Sequence, residues 1–175
     1  FSRGGSTVIA LVEHSGQKPQ LRYVFDVAET GEREHSRPVH LWRFRAEHED
    51  IVAATLERSY DVSVSDGIVE QMESAATQLA KEYWADHKRD ILHNIDDSYL
   101  DGYDEFNTEV QFRNAAKASI TYMLMSRCGL EPEAYMEPED FMPVFDFNTP
   151  AAVAALGTAV SEISQQVTRQ IEVAI

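Results

Sequence analysis

The sequence has one cysteine, Cys128, and no apolar run near the roughly 18 residues that a membrane-spanning helix needs. A single thiol cannot close an internal disulfide, and no charged-then-apolar signal segment stands at the start of the chain. These absences predict a protein of the reducing cytoplasm. The chain of 175 residues is long enough to bury most of its unfolded surface without a disulfide or a metal.

Basic residues are scarce in the C-terminal two-thirds of the chain. The net charge is −15, and residues 1–58 carry eight Lys or Arg against nine Asp or Glu, so residues 59–175 hold −14. No Lys or Arg lies between Arg127 and Arg169. Such a surface repels nucleic-acid phosphates and is interpreted either as a solvated face or as a docking face for a basic partner. The candidate docking residues are Glu131, Glu133, Glu137, Glu139 and Asp140.

The first 45 residues have the patterns of β-strands. Residues 7–14 form a short β-branched apolar run, and residues 20–30 alternate apolar and polar side chains. The intervening turn sequence SGQKP predicts a hairpin. Residues 39–44 alternate again and are predicted as a third strand.

The rest of the chain has apolar residues three and four positions apart, which predicts helices. The helices are expected at residues 47–60, at 68–93, from Asn107 or Thr108 to a stop at Gly129, and from Pro150 onward. The buried positions expected on the first helix are Ile51, Val52, Thr55, Leu56 and Ser59. Those expected on the last helix are Val153, Leu156, Val160, Ile163, Val167 and Ile171, a stripe that suits either an internal core or a coiled coil.

Two helix ends carry specific signals. Gly129 is placed for a left-handed stop with Leu130 folding back, and Pro132 forbids continuation of the helix. Asn148 or Thr149 is placed to cap the last helix, with Pro150 at its first position.

Together these patterns predict an α+β fold in a single domain of residues 1–175. A small antiparallel sheet of two or three strands, residues 1–45, is expected to pack on about four helices in residues 46–175. The chain begins at Phe1 instead of Met, which indicates a segment excised from a longer protein.

Catalytic and metal-site candidates fail on spacing. Residues 48–50 read HED, but Val52 stands where a metallopeptidase motif needs its second histidine. His87 and His93 are about 120° apart around a helix, too far to bind one ion. The acidic residues between 93 and 109 do not match a calcium-loop spacing, so they are interpreted as a solvated, helix-capping loop, with a metal site as the alternative.

Four stretches, RYVFDVAET, MSRCGLEPEAY, FMPVFDFNTP and LGTAVSEISQQVTRQIE, resemble a domain embedded in large polyvalent proteins of conjugative and phage-like mobile elements. The resemblance covers almost the whole chain. It implies a non-catalytic accessory or protein-interaction module, whose partner is another protein or another domain of the parent polypeptide, with no cofactor.

The N-terminal strands resemble more loosely the FDV segment of ArdC-type antirestriction proteins, which join a single-strand DNA-binding region to a zincin-like metallopeptidase. Matching that family's metal motif to this chain puts its ligands at Ala85, Arg89 and Ala118, and its catalytic Glu at Asp86. Alanine cannot coordinate a metal and arginine repels one, so the match implies that the metal site is lost.

That second resemblance leaves an alternative function open. An antirestriction-type module would bind single-stranded DNA or retain residual metallohydrolase chemistry. Basic and aromatic residues of the first 45 positions would stack on bases and neutralise phosphates if they share one exposed face. The candidate nucleic-acid contacts are Arg22, Tyr23, Arg43 and Arg45.

Overall fold

The structure is a computed structural model that describes residues 8–13, 20–25, 44–63 and 67–175. Its backbone contacts divide the chain into two compact units, Phe1–Leu41 and Trp42–Ile175. This boundary falls close to the predicted change from strands to helices. The single domain predicted for the whole chain stays a prediction.

In the first unit two short strands pair antiparallel. They are β1 (Val8–Glu13) and β2 (Gln20–Phe25), in a register that puts Leu11 opposite Arg22. Each strand is six residues long, and the two lie within residues 7–14 and 20–30, whose sequence patterns are typical of strands. A two-stranded ladder of this length is marginal in water unless other structure supports it.

The predicted α+β class is wrong. From Phe44 to Ile175 the described residues form helices and connections but no strand, and the core of this unit comes from those elements alone. Of the predicted third strand, residues 39–44, only Phe44 is described, and it belongs to no strand. The helical pattern dominates because four amphipathic faces can bury one another without any sheet.

The first helix, α1 (Glu49–Tyr60), follows a 3₁₀ turn at Ala46–His48. It ends at Asp61, whose left-handed backbone (φ 52°) lets its N–H donate to the carbonyl of Glu57 at 2.8 Å. The predicted buried face is wrong at its two ends, because Ile51 and Ser59 are exposed. The buried positions are Val52, Thr55, Leu56 and Tyr60.

Two long helices, α2 (Ile68–Asn94) and α3 (Glu105–Arg127), form an antiparallel pair. One ion pair joins Lys88 to Glu105 at 2.7 Å, and a second joins Lys117 to Glu73. Lys88 lies in the second half of α2 and pairs with the first residue of α3, whereas Glu73 in the first half of α2 pairs with Lys117 further along α3, so the two helices run antiparallel.

The predicted start of α3 was two or three residues late. Asp104 is the cap, since its Oδ1 accepts the N–H of Asn107 at 2.8 Å. Thr108, one of the residues expected to open the helix, is buried inside its first turn, and its hydroxyl donates to the carbonyl of Asp104 at 3.0 Å.

The predicted stop of α3 is confirmed. Gly129 has φ +72°, and its N–H donates to the carbonyl of Ser126 at 3.1 Å. The N–H of Leu130 donates to the carbonyl of Met125 at 3.0 Å. This pair of hydrogen bonds defines a Schellman motif, which turns the chain sharply out of the helix.

The last helix, α4 (Pro150–Ala174), has the predicted N-cap, because the hydroxyl of Thr149 accepts the N–H of Ala152 at 3.3 Å. Its apolar stripe contacts α1, α2 and α3, so the interpretation as core is confirmed. The stripe is rotated slightly from the prediction: Val153 is exposed, Val160 is half-buried, and Ala152 is buried instead. The remaining predicted positions are buried: Leu156, Ile163, Val167 and Ile171.

Aromatic rings hold the centre of this unit together. Phe112 of α3 lies 5.5 Å from Trp84 of α2 and 6.4 Å from Phe147, measured between ring centroids. Phe147 comes from the connection before α4, and the neighbouring Asn148 accepts the backbone N–H of Tyr99 through its Oδ1 at 2.8 Å. The connection is therefore fixed to the core at its C-terminal end.

Candidate partner-binding site

The acidic segment, residues 131–146, runs from the Schellman stop toward α4. It contains 3₁₀ turns at Pro132–Ala134 and Pro138–Asp146. Prolines at the start of each turn favour this geometry, because they fix φ and need no donor in the first turn. All five predicted docking residues lie on this segment and are exposed: Glu131, Glu133, Glu137, Glu139 and Asp140.

Two of these five carboxylates have a structural role. Glu137 and Asp140 form a capping box, in which the N–H of Glu137 donates to Oδ2 of Asp140 at 2.9 Å. Neither this pair nor the other three acids takes part in an ion pair within the described part of the chain. Glu131, Glu133 and Glu139 are thus the carboxylates free to meet a partner.

Large apolar side chains stand beside these acids. Tyr135, Met142 and Phe145 are 59%, 60% and 66% exposed. In a 3₁₀ helix, residues three positions apart eclipse one another, so Glu139, Met142 and Phe145 form one row. The row follows a period of 3 along the sequence, which neither the strand period of 2 nor the helix period of 3.6 reveals.

A cavity of about 260 Å³ lies where the acidic segment meets α2 and α3. Tyr135, Glu139 and Asp140 line it from the segment, and the Glu73–Lys117 ion pair lines it from the helices. Thr121 also lines it, is 3% exposed, and has no hydrogen-bond partner for its hydroxyl in the described structure. Charged side chains line the cavity from both the segment and the helices, so it is suited to a polar guest.

A second hollow, of about 250 Å³, lies on the other part of the segment. Its lining is mainly apolar and includes Pro132, Met136 and Pro138, with Glu133 and Glu137 among the lining residues. Tyr122 of α3 and Phe141 meet edge to face in its wall, with ring centroids 5.8 Å apart. The segment therefore offers one polar and one apolar recess, both with carboxylates in their linings.

The candidate nucleic-acid residues receive less support. Tyr23 on β2 is 59% exposed, whereas the side chain of Arg22 and the whole of Arg43 lie outside the described residues. Arg45 is exposed, and its Nη1 lies 3.2 Å from Oε1 of Glu47. One of the predicted phosphate contacts thus already has a carboxylate partner.

The three positions matched to zincin ligands do not converge. Ala118 follows Lys117, which pairs with Glu73 in the first half of α2. Ala85 lies twelve residues further along α2, which is about 18 Å of helix. Arg89 lies one turn beyond that.

Histidine and acidic candidates are engaged locally. The ring of His87 stacks on Tyr83 at 4.0 Å, and its Nδ1 lies 3.1 Å from that residue's carbonyl oxygen.

In the acidic loop, Asp104 caps α3, while Glu105 and Glu109 pair with basic residues. The capping interpretation of the loop is confirmed for Asp104. Within the described ranges no group of three His, Cys, Asp or Glu side chains is arranged to hold a metal ion.

The single thiol has low nucleophilic reactivity. Cys128 is buried at the end of α3, and this burial raises its pKa to about 11. The nucleophilic thiolate is therefore rare at neutral pH.

Comparisons with other proteins add no relative. No family model, curated protein or solved structure matches this chain. Among the described helices, none has both the length and the apolar character to cross a membrane.

Proposed function

We propose that this chain is a non-catalytic protein-interaction module of the kind embedded in polyvalent proteins of mobile elements. Its acidic segment binds a basic stretch of another protein, or of another domain of the parent polypeptide. The observation that carries this proposal is the exposed row of Glu139, Met142 and Phe145, which lies on the same segment as the exposed side chains of Tyr135, Glu131 and Glu133.

Apolar anchors within a charged rim are the usual plan of a specific interface. Burying a large apolar side chain contributes about 1.5–3 kcal/mol, so Met142 and Phe145 are able to supply most of the affinity. The surrounding carboxylates select a basic partner and speed its approach. The cavity beside Thr121 admits a polar group such as the tip of a lysine side chain, with Glu139 and Asp140 in its lining.

The test is a titration of a fluorescein-labelled, lysine-rich peptide with a central tryptophan, followed by anisotropy. The double variant Glu133→Lys/Glu139→Lys spares the capping box and should weaken binding at least about tenfold, a change of about 1.4 kcal/mol. Met142→Ala/Phe145→Ala should weaken it by a similar factor at unchanged net charge.

The matched control is Glu57→Lys/Asp86→Lys, which reverses two exposed acids on α1 and α2 and has the same net charge. It should bind the peptide within about threefold of the original, which corresponds to less than 1 kcal/mol. Equal weakening by both reversals would show a non-specific charge effect and contradict a defined docking site. A peptide with glutamate in place of lysine should not bind.

The antirestriction-type alternative is favoured by one observation, the exposed ring of Tyr23. A base stacked on such a ring contributes about 1–3 kcal/mol. A titration of oligothymidylate therefore accompanies the peptide titration. Micromolar binding that Tyr23→Ala abolishes would favour single-strand DNA binding over the docking proposal.

A further inference from the structure

A groove of about 740 Å³ lies between α1 and α4, away from the acidic segment. Arg58 and Ser59 line it from α1, and Arg169 and Gln170 line it from α4. Gln165 and Gln166 of α4 add two more amide side chains. Its volume falls within the range of about 300–1,000 Å³ typical of sites for small molecules.

Two arginines line this groove, and neither has an ion-pair partner among the described residues. The chain has 30 acidic and 15 basic residues, so a carboxylate is usually near a basic side chain. Lys88, Arg113 and Lys117 each form an ion pair with a carboxylate. Across the described residues Arg58 and Arg169 form none, and Glu162 is the one carboxylate in the groove lining.

A second observation concerns Gln170. Its Oε1 is buried and has no hydrogen-bond partner in the described structure. Gln170 lines the groove, and rotation of its amide about the terminal bond exchanges the oxygen and nitrogen, which brings the unsatisfied acceptor within reach of a donor in the groove. The groove therefore combines two unpaired cations with an unused acceptor.

We propose that this groove binds a small organic oxyanion, a molecule with a phosphate or carboxylate group and at least one hydrogen-bond donor. A guanidinium presents parallel N–H donors that match the oxygens of either group, so Arg58 and Arg169 hold the anion. Gln170 accepts the ligand's hydroxyl or amino hydrogen, and the other amides add polar contacts. This site is independent of the docking function of the acidic segment.

The probes are adenosine monophosphate, citrate and inorganic phosphate, each titrated into the full chain by isothermal calorimetry. Saturable binding of adenosine monophosphate but not citrate identifies phosphate as the preferred group, and the reverse identifies carboxylate. Arg58→Gln and Arg169→Gln should each weaken binding at least about tenfold. Arg89→Gln is the matched control, because Arg89 is also exposed and forms no ion pair among the described residues, but lies on α2 outside the groove.

Gln170→Leu tests the acceptor separately. It should weaken binding of the organic anion and leave inorganic phosphate, which makes little use of the acceptor, unchanged. The variant Glu133→Lys/Glu139→Lys should bind the oxyanion as the original does, so this result does not depend on the docking proposal. No saturable binding of any probe, or equal losses in Arg58→Gln and Arg89→Gln, would overturn the assignment.

Discussion

The helical core and the acidic segment use the same kinds of side chain in opposite ways. Phe112 and Met125 of α3 are fully buried, whereas Phe145 and Met142 of the segment are largely exposed. None of the nine residues of the longer 3₁₀ turn is buried. The difference shows that the apolar surface of the helices stabilises the fold, while that of the segment is exposed to solvent.

The largest expected effect is a difference in stability between variants of the helical core and variants of the acidic segment. Phe112→Ala should lower the free energy of unfolding by about 3–5 kcal/mol, because it leaves a cavity among the rings of Tyr83, Trp84 and Phe147. Phe145→Ala should change it by less than about 0.5 kcal/mol. Urea denaturation measures both, and Phe112→Leu provides a milder variant if the alanine variant does not fold. Similar losses at both phenylalanines would break the comparison.

The next effect appears at alkaline pH. The thiol of Cys128 has a pKa of about 11 in the folded protein against an ordinary 9.0, because it is buried. Since the folded state keeps a proton that the unfolded chain loses, stability is complete below pH 9 and falls as pH rises toward 11. The loss at pH 11 should be about 2–3 kcal/mol.

The comparison is with Cys128→Ala, whose stability should fall less between pH 9 and pH 11. Burial also raises the pKa of Tyr60 and of Tyr83, so both proteins lose some stability in this range. The difference between the two curves isolates the thiol. Parallel curves would mean that Cys128 titrates alike in the folded and unfolded states.

Substitutions at two glycines should change stability in opposite directions. Gly129 has φ +72°, so Gly129→Val should cost about 1 kcal/mol or more and lower the melting temperature by several degrees. Gly157 lies inside α4 with nothing near its missing Cβ, so Gly157→Ala should instead raise stability by about 0.5–1 kcal/mol. An unchanged melting curve for Gly129→Val would contradict the role of this stop.

The smallest expected effect lies within the acidic segment itself. Glu137→Lys/Asp140→Lys removes the capping box and should cost about 1 kcal/mol. Glu133→Lys/Glu139→Lys makes the same change in charge but should cost less than about 0.5 kcal/mol. If the two variants have the same melting temperature, the capping hydrogen bonds make no measurable contribution to stability.

Local chemistry explains what the sequence could predict. The stop at Gly129 and the cap at Thr149 depend on hydrogen bonds between residues at most five positions apart, and both are confirmed. The start of α3 was misplaced because Asp104, Asn107 and Thr108 are all capable caps, and only the structure shows which one binds.

Long-range geometry explains what the sequence could not predict. The α+β class was wrong because strand-like alternation in the first 45 residues did not reveal that the described residues are mostly helical. The groove of Arg58 and Arg169 went unrecognised, since those residues are over a hundred positions apart in the chain. The exposed acids of the segment could be predicted from the sequence. The apolar row beside them could not, because it forms only in the 3₁₀ geometry of Pro138–Asp146.

The exposed acidic segment also determines which reagents can map a bound partner. Amine-reactive cross-linkers cannot attach between Arg127 and Arg169, because no lysine is present there. Carbodiimide activation of Glu131, Glu133 or Glu139 would instead form an amide directly with a partner's lysine. Trypsin cuts after Lys and Arg, so every such link would be recovered on one long peptide, residues 128–169, which identifies the docking face from a single fragment.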